Sequence, residues 1–194
     1  MRKLIIGEFI SLDGVIQAPG GIDEDRDGDF AQGGWTIPFW HDDIGVHFLE
    51  AMQDCDSLLL GRKTWTTHGE AFDPMPQGDP FGDVMNGMRK YVVSTTLKSA
   101  GLWRNSSIIS QNVPDEVKKL KAQNGKNIYL DGSSVLAHSL LLDGLVDQIN
   151  LLLYPVTLGN GKKLFPPGYQ QTLKLIETRA FPSGVVLLRY GRPD

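Results

Sequence analysis

The chain has 194 residues, a formal net charge of -4 with histidine neutral, and 41% hydrophobic residues. That length suits one domain, residues 1–194, with a sizeable core. The charge is too modest for a disordered chain, and the acidic balance argues against a dedicated nucleic-acid binder, whose domain is usually basic.

Cys55 is the only cysteine, so no internal disulfide forms. That suits a reducing, cytoplasmic setting. No base or orienting group is evident for a reactive thiol, and Cys55 reads as a small buried hydrophobe. Residues 1–10 carry two basic residues and then apolar ones, but Glu8 and Asp13 cut the run too short for a signal peptide. No stretch approaches the roughly 20 apolar residues that span a bilayer, so no membrane role is expected.

Residues 3–10 read as a strand apolar on both faces, as for the centre of a sheet. Residues 11–40 form a long loop rich in glycine and acids, of a length that usually carries function. Residues 41–54 read as a helix. Asp42 and Asp43 sit in its first turn, where the helix dipole favours negative charge, and Ile44, Phe48 and Met52 form an apolar stripe. Residues 57–60 are a short strand ended by Gly61, and a helix starts at Arg62. Residues 73–82, with their prolines and glycines, read as loop. Residues 91–94 and 107–109 are strands, 114–124 a surface helix, and 127–130 a strand that turns at Asp131-Gly132 into a helix over 133–142. Three strands follow at 148–156, 173–180 and 185–190. Strand and helix alternate at the front and strands alone close the chain, which predicts a largely parallel sheet finished by an antiparallel hairpin.

Four segments could carry chemistry. At Gly61-Arg62-Lys63-Thr64 a helix begins with two cations, although its dipole and free N–H groups already make that end positive. A bound phosphate reverses the sign; a surface turn with its cations in water is the plainer alternative. At Asp131-Gly132-Ser133-Ser134 the same strand–glycine–helix order suits a pyrophosphate, or simple capping by a serine. Ser94 and Thr95 end a strand and could meet a ribose phosphate or make ordinary turns. Residues 23–29 place acids like the start of a calcium loop. The twelfth position is Gly34 where a glutamate belongs, so a solvated acidic loop is expected.

In their order and spacing these pieces resemble the dihydrofolate-reductase-like family, in the branch of the reductase domain of the bifunctional riboflavin-biosynthesis deaminase-reductase. Residues 10–16 look like its first strand end, Gly61 to Trp65 like its Gly-Arg-x-Thr segment, and Val93 to Thr95 like its ribose-phosphate strand end. Asp131-Gly132 stands where the family has Gly-Gly, and residues 155–161 look like its late strand signature. The resemblance implies an α/β three-layer fold with a mostly parallel sheet of about eight strands. It also implies NADPH as cofactor and hydride transfer to a small heterocycle, as in 5-amino-6-(5-phosphoribosylamino)uracil reduction, and a homodimer.

By matching position, Gly61, Arg62, Lys63 and Thr64 meet the adenosine-side phosphates and Ser94 and Thr95 the 2′-phosphate. Gly132, Ser133 and Ser134 meet the pyrophosphate, and the backbone near Phe9, Ile10 and Ile16 the nicotinamide. Trp35, Phe39 and Trp40 are candidates to cover the substrate ring, with core packing as their plainer role. The family's folate enzymes carry an acid on the first helix, and here that position falls near Ile44. Asp43 and Glu8, with Asp13 and His41, are the remaining candidates for proton delivery. The alternatives are a folate- or pterin-type reductase, a non-enzymatic NADP-binding protein, and a calcium-regulated protein.

Overall fold

The computed structural model describes residues 1–193. Among them eight strands form one sheet: β1 (Leu4–Ser11), β2 (Cys55–Gly61), β3 (Arg89–Val93), β4 (Ser106–Ile109), β5 (Asn127–Asp131), β6 (Gln148–Tyr154), β7 (Lys174–Ala180) and β8 (Val186–Gly191). Their spatial order is β4-β3-β2-β5-β1-β6-β8-β7. All pairings from β4 through β6 are parallel, and β6–β8 and β7–β8 are antiparallel. This is the α/β architecture that the order of strands and helices predicts.

Helices cover both faces. One face carries α4 (Val113–Ala122) and α5 (Ser134–Leu142), whose Val117, Leu120, Ala137 and Leu140 join Ile6, Leu59 and Leu130 in one core cluster. The other face carries α1 (Asp42–Gln53), α2 (Arg62–Phe72) and α3 (Pro80–Gly87). There Met52, Trp65 and Met85 pack with Ile5, Leu58 and Leu60. Successive residues of β1 alternate between the two clusters, because strand side chains point to opposite faces in turn. A third cluster gathers Phe9, Trp35 and Phe39 edge-on around Tyr154, with centroids 5.4–6.0 Å from its ring. Cys55 is buried, and desolvation pushes its thiol up to about 12, as suits an inert core group.

Residues 73–82 are not all loop. Helix α3 begins at Pro80, and the Asp79 carboxylate caps it by accepting from Phe81 N at 3.0 Å and Gly82 N at 2.8 Å. A capping acid followed by proline at the first helical position is a start signal, and the density of glycine and proline around it hides the helix. No helix of the described residues is long and apolar enough to cross a membrane.

The connections place the site. From β1 the chain passes through α1 to β2, toward one edge of the sheet. From β5, which lies beside β1, it passes through α5 to β6, toward the other edge. The two crossovers diverge, so the carboxyl ends of β1 and β5 form a topological switch point, where open α/β sheets bind ligands. The β1–β5 ladder stops at Gly7↔Asp131, while β1–β6 runs on to Ser11↔Tyr154. Beyond Gly7 and Asp131 the sheet is therefore split.

Candidate functional site

The split opens into a cavity of about 470 Å³. Gly7, Glu8 and Phe9 of β1 form its floor, and the starts of α2 and α5 form one end. Ile44, His47 and Phe48 of α1 with Phe81 and Met85 of α3 line the other. Gly7 is required by close packing: a Cβ there would lie 1.5 Å from the Tyr129 hydroxyl.

Both helix starts are bare. α2 has no side-chain cap and no acid in its first turn, and neither has α5, whereas α1, α3 and α4 all carry first-turn acids. The leading N–H groups of a helix lack internal partners and concentrate positive potential. Two such ends meeting in one cavity make a strong anion-binding locus. They are tied together: Gly61 N donates to Ser133 Oγ at 2.8 Å, and Ser133 Oγ bonds Thr64 Oγ1 at 2.8 Å. Gly132 has φ +58, and a Cβ there would meet Thr64 Cγ2 at 3.0 Å. Glycine thus keeps the second corner both unstrained and open.

Asp131 takes the place of a glycine beside that corner, and a free carboxylate would repel an anion. It is instead bonded to His68 of α2, with His68 Nε2 2.7 Å from Asp131 Oδ2. Burial alone pushes the His68 imidazole down, but the bond to Asp131 and its charge outweigh this, so its pKa is raised. The pairing turns the Asp131 carboxylate to His68 and offsets part of its charge toward the corner. His47, on the far wall, is pushed the other way by burial and by the Arg189 charge.

The two lysines at the cavity mouth are engaged by the acidic loop. Lys63 pairs with Asp27 and lies 3.8 Å from Asp25. Lys162 pairs with Asp25 and lies 2.8 Å from Asp27. The bonds from Lys162 and Lys63 hold the Asp27 carboxyl down to about 2. The carboxylates expected to be solvated thus form a four-charge clasp at the mouth of the cavity. Arg62 lines the cavity and has no carboxylate partner among the described residues.

Glu8 is the anomaly of the floor. It is 6% exposed on the central strand, and its Oε1 has no hydrogen-bond partner. Desolvation first, and then the charge of Asp131, hold its carboxyl well above the usual carboxylate range, while the Gly132 amide pulls the other way.

Of the residues the sequence singles out, Glu8, Ile16, Gly61, Arg62, Lys63, Thr64, Gly132, Ser133, Ser134 and Trp40 line this one cavity. Phe9 lines it as well, whereas Ile10, Asp13, Trp35, Phe39, His41, Asp43, Ser94 and Thr95 do not. Ile10 is buried in the core beneath. Trp35 donates Nε1 to Gln17 O at 2.8 Å and packs with Phe39 on Tyr154. Asp43 lies in the first turn of α1, half-exposed, with its N–H capped by His41 Nδ1 at 3.2 Å. Ser94 closes a turn, its Oγ accepting from Thr96 N at 3.2 Å and Leu97 N at 3.1 Å, and Thr95 is exposed. His68, the partner of Asp131, carried no signal in the sequence because the two are 63 residues apart.

The sheet order, the antiparallel end and the paired helix starts define a dihydrofolate-reductase-like fold. Solved structures share it, two of them as follows. One is a candidate riboflavin-biosynthesis protein from Shewanella sp. PV-4, with a TM-score of 0.70 and 20% identity over 99% of each chain. The other is the dihydrofolate reductase of Enterococcus faecalis, complexed with NADP(H) and RAB-propyl. It has a TM-score of 0.64 and 16% identity over 99% of this chain and 97% of that one. The uncharacterized protein YyaP of Bacillus subtilis (strain 168) is 32% identical over 193 residues, 97% of this chain and 94% of YyaP. The chain belongs to the RibD C-terminal domain family, whose model matches residues 2–187. Family and fold are those of reductases.

Proposed function

We propose that the chain is an NADPH-dependent reductase acting on a small heterocycle. The observation that carries this reading is the meeting of two uncapped helix starts, at Gly61 and Gly132, in the switch-point cavity. The residues present fit the cofactor: two anion-binding corners for a pyrophosphate, an unpaired Arg62 for a further phosphate, and a largely apolar floor for a ring. Arg62, Thr64, Ser133 and Ser134 would hold the phosphates, and Ile16 with the β1 backbone would flank the nicotinamide. When bound, NADPH supplies the hydride. The chain positions the acceptor ring, excludes water with Trp40 and the clasped acidic loop, and holds Asp131 against His68.

Substrate choice follows from where the cations are. Arg62, Lys63 and Lys162 are the only Lys and Arg among the cavity residues, and their shared pairing with Asp27 keeps Lys162 beside Lys63 at the start of α2. The far end is walled by Ile44, Phe48, Phe81 and Met85, with no acid from α1. His47 is the basic side chain on that wall, and burial pushes its imidazole toward the neutral form, so a phosphate there would be desolvated without a full positive charge to meet it, a penalty of several kcal/mol. The apolar wall favours a flat, phosphate-free ring bearing a C=O or C=N. Without an acid from α1 in the cavity, the folate-type alternative has less support.

The test is NADPH oxidation across pterins and amino-uracils, each pyrimidine offered with and without a phosphoribosylamino group. Turnover favouring the unphosphorylated ring is expected. Turnover with none of the panel, or only with the phosphorylated member, goes against the reading of the far wall.

A further inference from the structure

Glu8 stands where the proposed reaction would need a proton. It is the first residue of β1 past the last β1–β5 pair, so it lies at the fork between the cofactor corners and the apolar far wall. By the alternation of a strand it shares the α5 face with Ile6 and Ile10, whose core cluster also holds Ile16, Leu136 and Leu151. No cation among the described residues pairs with it, and its Oε1 is buried without a partner. A carboxylate in such a place would be charged, dry and unpaired, the costliest state for a buried group, and such groups take up a proton instead.

Resting on the reductase reading, we infer that Glu8 is the proton donor of this site, carried as a neutral carboxylic acid at the fork. When a hydride adds to the carbon of a C=O or C=N, the π pair moves to the heteroatom. The heteroatom takes the Glu8 proton, the carboxyl O–H bond breaks, and Glu8 is left as carboxylate. The charge of Asp131 disfavours that carboxylate and returns it to the acid form by protonation from solvent when product leaves. The charged and titratable groups around it are Asp131 at the end of β5, Glu24 in the acidic loop and Tyr129 of β5. His68 of α2 acts through Asp131. Both carboxylates raise its proton affinity, and the Gly132 amide opposes them. Asp131 and His68 are positioning residues: they set the charge that Glu8 feels.

The test begins with the infrared carbonyl band of a protonated carboxyl in the whole protein at pH 7, with and without NADPH. A band from Glu8 is expected, and Glu8→Gln should abolish it. Should E8Q fold poorly, titrating the wild-type band with pH answers the same question. An ionised Glu8 at pH 7 overturns the inference whatever the cofactor does. In turnover with the best acceptor, E8Q should lose roughly 10²- to 10⁴-fold in kcat while binding NADPH as the wild type does. E8Q turnover near the wild-type level also overturns it. Wild-type protein that shows the band but binds no NADPH would instead sink the reductase reading, and the two failures are thereby told apart.

Discussion

Gly61 and Ser133, 72 residues apart in the chain, share a hydrogen bond of 2.8 Å from Gly61 N to Ser133 Oγ. The bond fixes the spacing of two helix starts that come from different crossovers and different faces of the sheet. Either start alone is a common structural feature. Held side by side at a switch point, they present amides from two helices to one ligand, and a pyrophosphate has two negative groups to meet them.

Arg62 offers the sharpest electrostatic prediction. Lys63 beside it is engaged by Asp25 and Asp27, whereas Arg62 has no such partner. Charge-assisted hydrogen bonds contribute about 1.5–3 kcal/mol, so Arg62→Ala should weaken NADPH roughly ten- to a hundredfold and NADH far less. Calorimetric titration with both nucleotides checks this. Equal losses would move Arg62 off the phosphate that distinguishes them.

Gly132→Ala should damage binding and stability together. Its φ of +58 is unfavourable for alanine by about 1–2 kcal/mol, and its Cβ would press Thr64 at 3.0 Å. A fall in Tm of roughly 2–8 °C is expected, with NADPH binding impaired. Gly14→Ala is the control: its φ is +85 with nothing within 4 Å of the added Cβ. It should lower Tm and leave the nucleotide affinity intact.

Stability against pH reports on Glu8 without any ligand. Its folded pKa is raised above the ordinary 4.5, so its contribution is full below about pH 4.5 and is lost as pH climbs through the folded value. The glutamine of the E8Q variant does not titrate. The Tm of E8Q minus that of wild type should therefore grow from about pH 4.5 upward and level off once Glu8 ionises in the folded protein. A difference that stays flat over about pH 4–9 would mean that Glu8 is ordinarily ionised.

The clasp makes an opposite prediction from that of a stabilising ion network. Its members are partly exposed, and such pairs contribute little to stability. Asp25→Asn with Asp27→Asn should leave Tm nearly unchanged. It should tighten NADPH at low salt, because two negative charges leave the mouth and two lysines are freed, and the gain should fade at high salt. Weaker binding in the double variant would instead give the clasp a role in holding the loop shut.

The fold was legible because local signals agreed with one another. The double-faced apolar run of β1, the glycine corners after β2 and β5, and the strand-only ending each pointed to the same sheet. Helix α3 was obscured because its Asp79-Pro80 start is embedded among other prolines and glycines. At the site, the corners were visible as strand–glycine–helix patterns, but their partners were not. His68 meets Asp131, and Lys63 and Lys162 meet Asp25 and Asp27, only through the tertiary fold. Glu8 showed in the sequence as a break in an apolar run. Its burial against Asp131 depends on where the β1–β5 ladder ends, which no local pattern encodes.

Nucleotide binding at the joined corners is the central claim. Equilibrium titration of the whole protein with NADPH, read by nucleotide fluorescence and repeated with NADH, tests it most directly. Saturable binding of one NADPH per chain, tighter than NADH and weakened in Gly132→Ala, is the predicted result. No saturable binding of either nucleotide, or NADPH binding that Gly132→Ala leaves untouched, would contradict it.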